Sequence, residues 1–187
     1  MLKNAIVGLM VFGLLAAAAG YVWTAFEFPF AILIPAAAGW YAVVRPEFGN
    51  RTALWAALVG GVTFTVAFLV ATFFALTDGS PVALTAWMSA TLAAAIAGAA
   101  TGWLLDRSRG SLTVAAFSAV GMLMATVVAG VIRAVAPSSV DVPGPVQYAY
   151  VAVVMGLVGA FTGAAAGAGA SMVASRRRRN AESSRPL

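Results

Sequence analysis

Apolar positions along this chain are gathered into long uncharged blocks, and the charged residues fall almost wholly between them. A helix rises about 1.5 Å per residue, so about 20 apolar residues cross a hydrocarbon core of about 30 Å. Six blocks reach or approach that length, at 5–26, 28–44, 53–76, 84–105, 112–136 and 148–174. The pattern predicts an all-α integral membrane protein with six transmembrane helices. The second block is the shortest, and Pro35 near its middle is expected to kink it by removing a backbone hydrogen bond. The last is long enough to tilt or protrude. The first is read as a retained helix, because its apolar stretch runs past the small residues Ala16 to Ala19 through Tyr21, Val22 and Trp23, longer than the core of a cleavable signal.

The connections set the expected orientation. With the N-terminus inside, Lys3, Arg45, Arg51, Arg107, Arg109, Arg176, Arg177, Arg178, Arg179 and Arg185 face the cytoplasm, leaving Arg133 alone outside. The aromatic belts agree: Trp23, Trp87, Tyr148 and Tyr150 fall near outer ends, and Trp40, Tyr41, Trp55 and Trp103 near inner ones. The expectation is a domain of residues 1–175 in the cell membrane with both termini cytoplasmic, followed by a basic tail, 176–187, disordered beyond its anchor. Arg176, Arg177, Arg178 and Arg179 serve there as a stop-transfer cluster or as an anchor to anionic lipid or an acidic partner.

Composition sharpens this reading. Apolar residues make up 62% of the 187 and charged residues 9%, against about 25% charged in a soluble domain. With no cysteine and no histidine, disulfides, thiolate metal sites, the usual haem and zinc ligands and the commonest general base are all excluded. The net charge of +5 sits at helix ends rather than along an aromatic-interleaved groove, so nucleic acid is not an expected partner. No nucleophile elbow or phosphate-binding loop occurs. The expectation is a protein that is not an enzyme and carries no cofactor or metal.

Few residues offer chemistry. Each outer connection carries one carboxylate, Glu27, Asp78 and Asp141, and with Arg133 beside them they would form an outer mouth that concentrates cations, or else remain solvated loop charges. The polar groups at depth are hydroxyls: Thr63, Thr65, Thr72, Ser89, Thr91, Thr101, Ser118, Thr126 and Thr162. Such groups more often bond their own helix backbone or a neighbouring helix than line a polar path. Glycines supply the sharper signal. Gly159, Gly163 and Gly167 recur every four residues in the sixth block, as do Gly98 and Gly102 in the fourth. That spacing lets another backbone approach one helix face, from within this chain or from another.

Comparing the returning blocks, Ala38-Gly39-Trp40, Thr101-Gly102-Trp103 and Thr162-Gly163-Ala164 place glycines 63 and 61 residues apart, close to one third of the chain. This spacing suits three tandem helical hairpins. In size, helix count and topology the chain resembles the substrate-binding subunits of energy-coupling-factor vitamin transporters, and Ala16 and Gly20 resemble the small-residue spacing those subunits use for their partner. No substrate-binding motif carries over. The resemblance implies a small-solute transport component with an unidentified small-molecule ligand. The competing expectation is an accessory subunit packed against other membrane subunits or copies of itself.

Overall fold

Among the described residues there are four α-helices and one short 3-10 turn, Pro29–Ile32: α1 Leu2–Phe26, α2 Leu33–Thr77, α3 Val82–Val135 and α4 Pro145–Ser183. The structure is a computed structural model that describes residues 2–26, 29–77, 82–136 and 144–184. All four helices are long and apolar enough to cross a membrane.

Two of them are too long to be straight rods within a bilayer. At 45 and 54 residues, α2 and α3 would extend about 68 Å and 81 Å, more than twice the hydrocarbon core. Each contains one sharp break. In α2 it is Gly49, at φ 80° and ψ 172°, a conformation that glycine reaches without a Cβ clash. In α3 it spans Asp106 and Arg107, and Arg107 holds φ at 48°, which costs a non-glycine residue on the order of 1–2 kcal/mol. The arms on either side then fold back on each other. A Cβ on Gly61 would lie 2.9 Å from that of Ala37, and one on Gly98 would lie 2.7 Å from Ser118 Oγ and 2.8 Å from the Val114 carbonyl.

The count of helices therefore differs from the sequence expectation, four instead of six. The reason is local: the basic connections at 45–52 and 106–111 hold no extended loop, and helical backbone runs up to a one- or two-residue break. Pro35 also differs. It is the third residue of α2, where a backbone N–H lacks an intrahelical acceptor in any case, so it starts a helix without kinking one. The proline inside α2 is Pro46, close to the Gly49 break.

α1 and α4 run antiparallel over most of α1. Asn4 meets Gly167, Gly8 meets Gly163, Gly13 meets Gly156 and Ala160, and Gly20 meets Val151 and Met155. From Asn4 to Gly20 this seam is about 24 Å long. Two buried apolar clusters fill the interior. One, around Phe12, Trp40, Val43, Leu105, Val114 and Val173, lies toward the two breaks. The other, around Ile32, Phe68, Ala94, Met122 and Val158, lies toward the opposite end.

Candidate functional site

The two clusters do not meet cleanly. Between them a cavity of about 60 Å³ is bounded by α1 (Phe12, Ala16), both arms of α2 (Trp40, Phe64), both arms of α3 (Ala97, Ser118) and α4 (Val158, Thr162). Its position follows from two large rings. Phe12 seats against Gly39 and Trp40 against Gly60, and the rings meet edge to face at 6.2 Å between centroids. Rings in these places hold the helices apart, where the α1–α4 seam lets backbones touch. The lining is almost wholly apolar and carries no ionised side chain.

Two residues of its wall, Ser118 and Thr162, carry hydroxyls, although the surface that the wall presents is almost wholly apolar. Thr162 Oγ1 reaches only the Met122 sulfur, at 3.9 Å, and a thioether is a weak acceptor. Ser118 is 1% exposed, and its Oγ has no hydrogen-bond partner. Thr101 Oγ1, one layer toward the breaks beside Gly60 and Trp40, is likewise buried and unpartnered. Other hydroxyls behave as a helix normally arranges them. Thr65 donates to the Gly61 carbonyl and Thr126 to the Met122 carbonyl, each at 2.9 Å.

A second polar region closes the end that carries both breaks. The Asn4 side-chain amide donates to Glu47 Oε1 at 3.1 Å and to Ser171 Oγ at 2.9 Å. Arg178 pairs with Glu47, Arg177 approaches Asp106 at 3.8 Å, and Arg176 donates to Thr113 Oγ1 at 3.0 Å. These contacts tie the start of α1, the two breaks and the end of α4 together. In the basic tail, expected to be disordered beyond its arginine anchor, α4 stays helical through Arg176, Arg177, Arg178 and Arg179 to Ser183. No proline interrupts that stretch, and three of the four arginines find partners on neighbouring helices.

The sequence-chosen glycines fall into place individually. A Cβ on Gly159 would strike the Phe12 carbonyl, one on Gly163 the Gly8 carbonyl, and one on Gly167 the Asn4 carbonyl. Gly98 and Gly102 face the other arm of their own helix, Gly102 against Gly110. Gly39 and Gly163 both abut Phe12, whereas Gly102 abuts Gly110 and Ser111, so the three repeat positions have different neighbours. Ala16 and Gly20 face Gly159 and Met155, so the spacing that resembled a partner-binding face is occupied within the chain. Arg133 is exposed in the last turn of α3, and Glu27, Asp78 and Asp141 lie outside the described residues. Sequence reasoning named Ser118 and Thr162 among nine hydroxyls without separating them from the rest. It missed Asn4, Glu47 and Asp106, whose signal was a polar or acidic residue at the edge of an apolar block. Among the described residues no cluster suited to a metal ion occurs. No protein-family model, no curated protein and no solved structure matches the chain.

Proposed function

We propose that this chain is a multi-pass membrane protein that serves as a component of small-solute transport, with the central cavity as its solute site. In this reading each arm of α2 and α3 crosses the bilayer, giving six crossings, and the end carrying the breaks and both termini faces the cytoplasm. The positive charge supports that orientation, since among the described residues every basic side chain but Arg133 belongs to that end. One observation carries the functional reading. The cavity is bounded by every helix and lies near half-depth, beside Phe12 and Ala16 in the middle of α1. Solute sites of transporters sit at that depth.

Proteoliposomes test it. Acetamide, uncharged and four heavy atoms in size, should enter them faster than protein-free liposomes in stopped-flow light scattering. Ala97→Leu, which fills the cavity wall, should return entry to the lipid rate while rubidium and chloride leakage stays at background. Equal acetamide entry with and without the protein ends the transport reading.

The accessory-subunit reading keeps one specific support. On the outward side of the α1–α4 seam an apolar groove is floored by Gly13, Ala17, Gly156 and Ala160, a surface shaped for another helix. Because the chain lacks cysteine, a single Ala17→Cys should form a disulfide-linked dimer in native membranes if a second copy seats there. A monomer under oxidation removes that form of the reading.

A further inference from the structure

We infer that the break in α3 forms a binding site for one anionic phospholipid, in which Arg107 and Arg177 hold the phosphodiester and Trp103 and Leu104 receive the start of its acyl chains. The inference uses the proposed placement of the breaks at the cytoplasmic bilayer surface and nothing of the central cavity.

The site is a pocket of about 380 Å³ between α3 and the end of α4, lined by Trp103, Leu104, Leu105, Asp106, Arg107 and Arg177. Small-molecule sites usually enclose about 300–1,000 Å³. The wall is apolar on one side and ionic on the other. Trp103 and Leu104 are exposed at the end of the first arm, at the level where interfacial tryptophans settle. Beyond them the charges begin. Of the four consecutive arginines in α4, Arg177 is the one that lines the pocket. Its side chain is 57% exposed, and its Nε approaches Asp106 at 3.8 Å, too far for a hydrogen bond. Its terminal nitrogens have no partner among the described residues, and Arg107, also exposed, has neither an ion pair nor a hydrogen bond among them. Two arginines less one aspartate leave one net positive charge, which matches the single negative charge of a phosphodiester. A free phosphate would meet the arginines and leave the apolar side uncovered, whereas a phospholipid covers both. Basic pockets between membrane helices on the cytoplasmic side bind anionic headgroups in this way.

The backbone adds an independent argument. Both long helices break sharply, but α2 does so at Gly49 and α3 at Arg107. Arg107 holds φ 48° and ψ −138°, a conformation that glycine reaches without a Cβ clash. The turn alone would therefore be made more easily by glycine at 107. Backbone strain of this kind gathers at functional positions, and what the arginine adds here is a second guanidinium on the wall of the pocket that Arg177 lines.

Native mass spectrometry of the full chain, released from detergent with phosphatidylglycerol and phosphatidylcholine at equal concentration, tests this. One phosphatidylglycerol per chain should be retained in preference to phosphatidylcholine. Arg107→Gln and Arg177→Gln should each weaken retention about tenfold, the lower end for a hydrogen bond to a charged group, as suits an exposed site. Arg51→Gln and Arg179→Gln remove the same charge from exposed positions outside the pocket and should leave retention unchanged. Arg107→Gly separates the side chain from the turn. It should lose retention as Arg107→Gln does, yet unfold in lipid-free detergent at a temperature no lower than that variant, because the backbone strain is relieved. Equal losses in all four Gln variants would mean that total charge and not this pocket holds the lipid, and would overturn the inference. Displacement of the lipid by an equal concentration of inorganic phosphate would also overturn it, by making the site one for a free anion. Lipid retention without acetamide flux upholds this site and ends the transport reading, whereas flux without lipid retention does the reverse.

Discussion

The α1–α4 seam and the central cavity are built from the same residue type and come out opposite. In the seam, Gly8, Gly159, Gly163 and Gly167 face backbone carbonyls of the other helix, and nothing is left between the two. At the cavity, Gly39 and Gly60 face rings, Phe12 and Trp40, and the space beyond the rings stays open. A glycine opposite a glycine brings two backbones together. Opposite an aromatic ring it makes a seat, and the ring then holds the next helix at a distance. Helices in lipid associate through close packing and dispersion rather than hydrophobic drive, so the seam is the firmer contact and the cavity is the place where packing was given up.

The largest test removes the prop. Trp40 is buried, fills the seat on Gly60 and meets Phe12 edge to face. Trp40→Ala should destabilise the folded protein by about 3–5 kcal/mol, the range for truncating a buried tryptophan, measured by unfolding in mixed detergent. It should also enlarge the cavity enough to admit a guest of benzene size. A small loss with no enlarged guest would mean that the helices collapse inward, and that the rings do not hold the cavity open.

The seam is broken by the opposite change. Gly163→Leu puts a side chain where the Gly8 carbonyl and Phe12 already lie, and the backbones must part. A loss of about 1–3 kcal/mol is expected from overpacking. Ala164→Leu, about 100° around the helix and half-buried, should cost less. Equal losses would show that the seam is no tighter than the rest of α4.

Much of the seam was legible in the sequence and little of the cavity. A glycine every fourth residue declares a helix face that admits a backbone, because helical geometry alone puts those positions in line. The partner was not declared: α1 carries Gly8, Gly13 and Gly20 at uneven intervals, so its side of the seam shows no such register. The cavity depends on which side chain of one helix seats on which glycine of another, a three-dimensional relation with no spacing to announce it. Phe12 and Trp40 read in sequence as an apolar residue and a belt aromatic, and only their edge-to-face meeting makes them props. Ser118 had the same difficulty. A serine in an apolar run looks the same whether it bonds the preceding turn, as Thr65 and Thr126 do, or goes unpartnered. The breaks were misread for a different reason: charge marked where the chain turns, but not that a single Gly49 suffices to turn it.

The smallest test separates glycine's two roles within one helix. Gly121 and Gly130 both lie in the second arm of α3, nine residues apart. A Cβ on Gly121 would come 2.6 Å from that of Ala165 and 2.8 Å from the Phe161 carbonyl, whereas one on Gly130 meets nothing within 4 Å. Gly121→Ala should therefore destabilise, because α3 or α4 must shift by several tenths of an ångström to admit the methyl group. Gly130→Ala should do the reverse. It adds no clash, lowers the conformational entropy of the unfolded chain and raises helix propensity, a gain of about 0.5–1 kcal/mol. Opposite signs in the same unfolding assay are the expected result. Two losses would mean that the face around Gly130 is covered by another helix in the assembled protein. Two gains would mean that the α3–α4 contact at Gly121 yields easily, and that close backbone approach is confined to the α1–α4 seam.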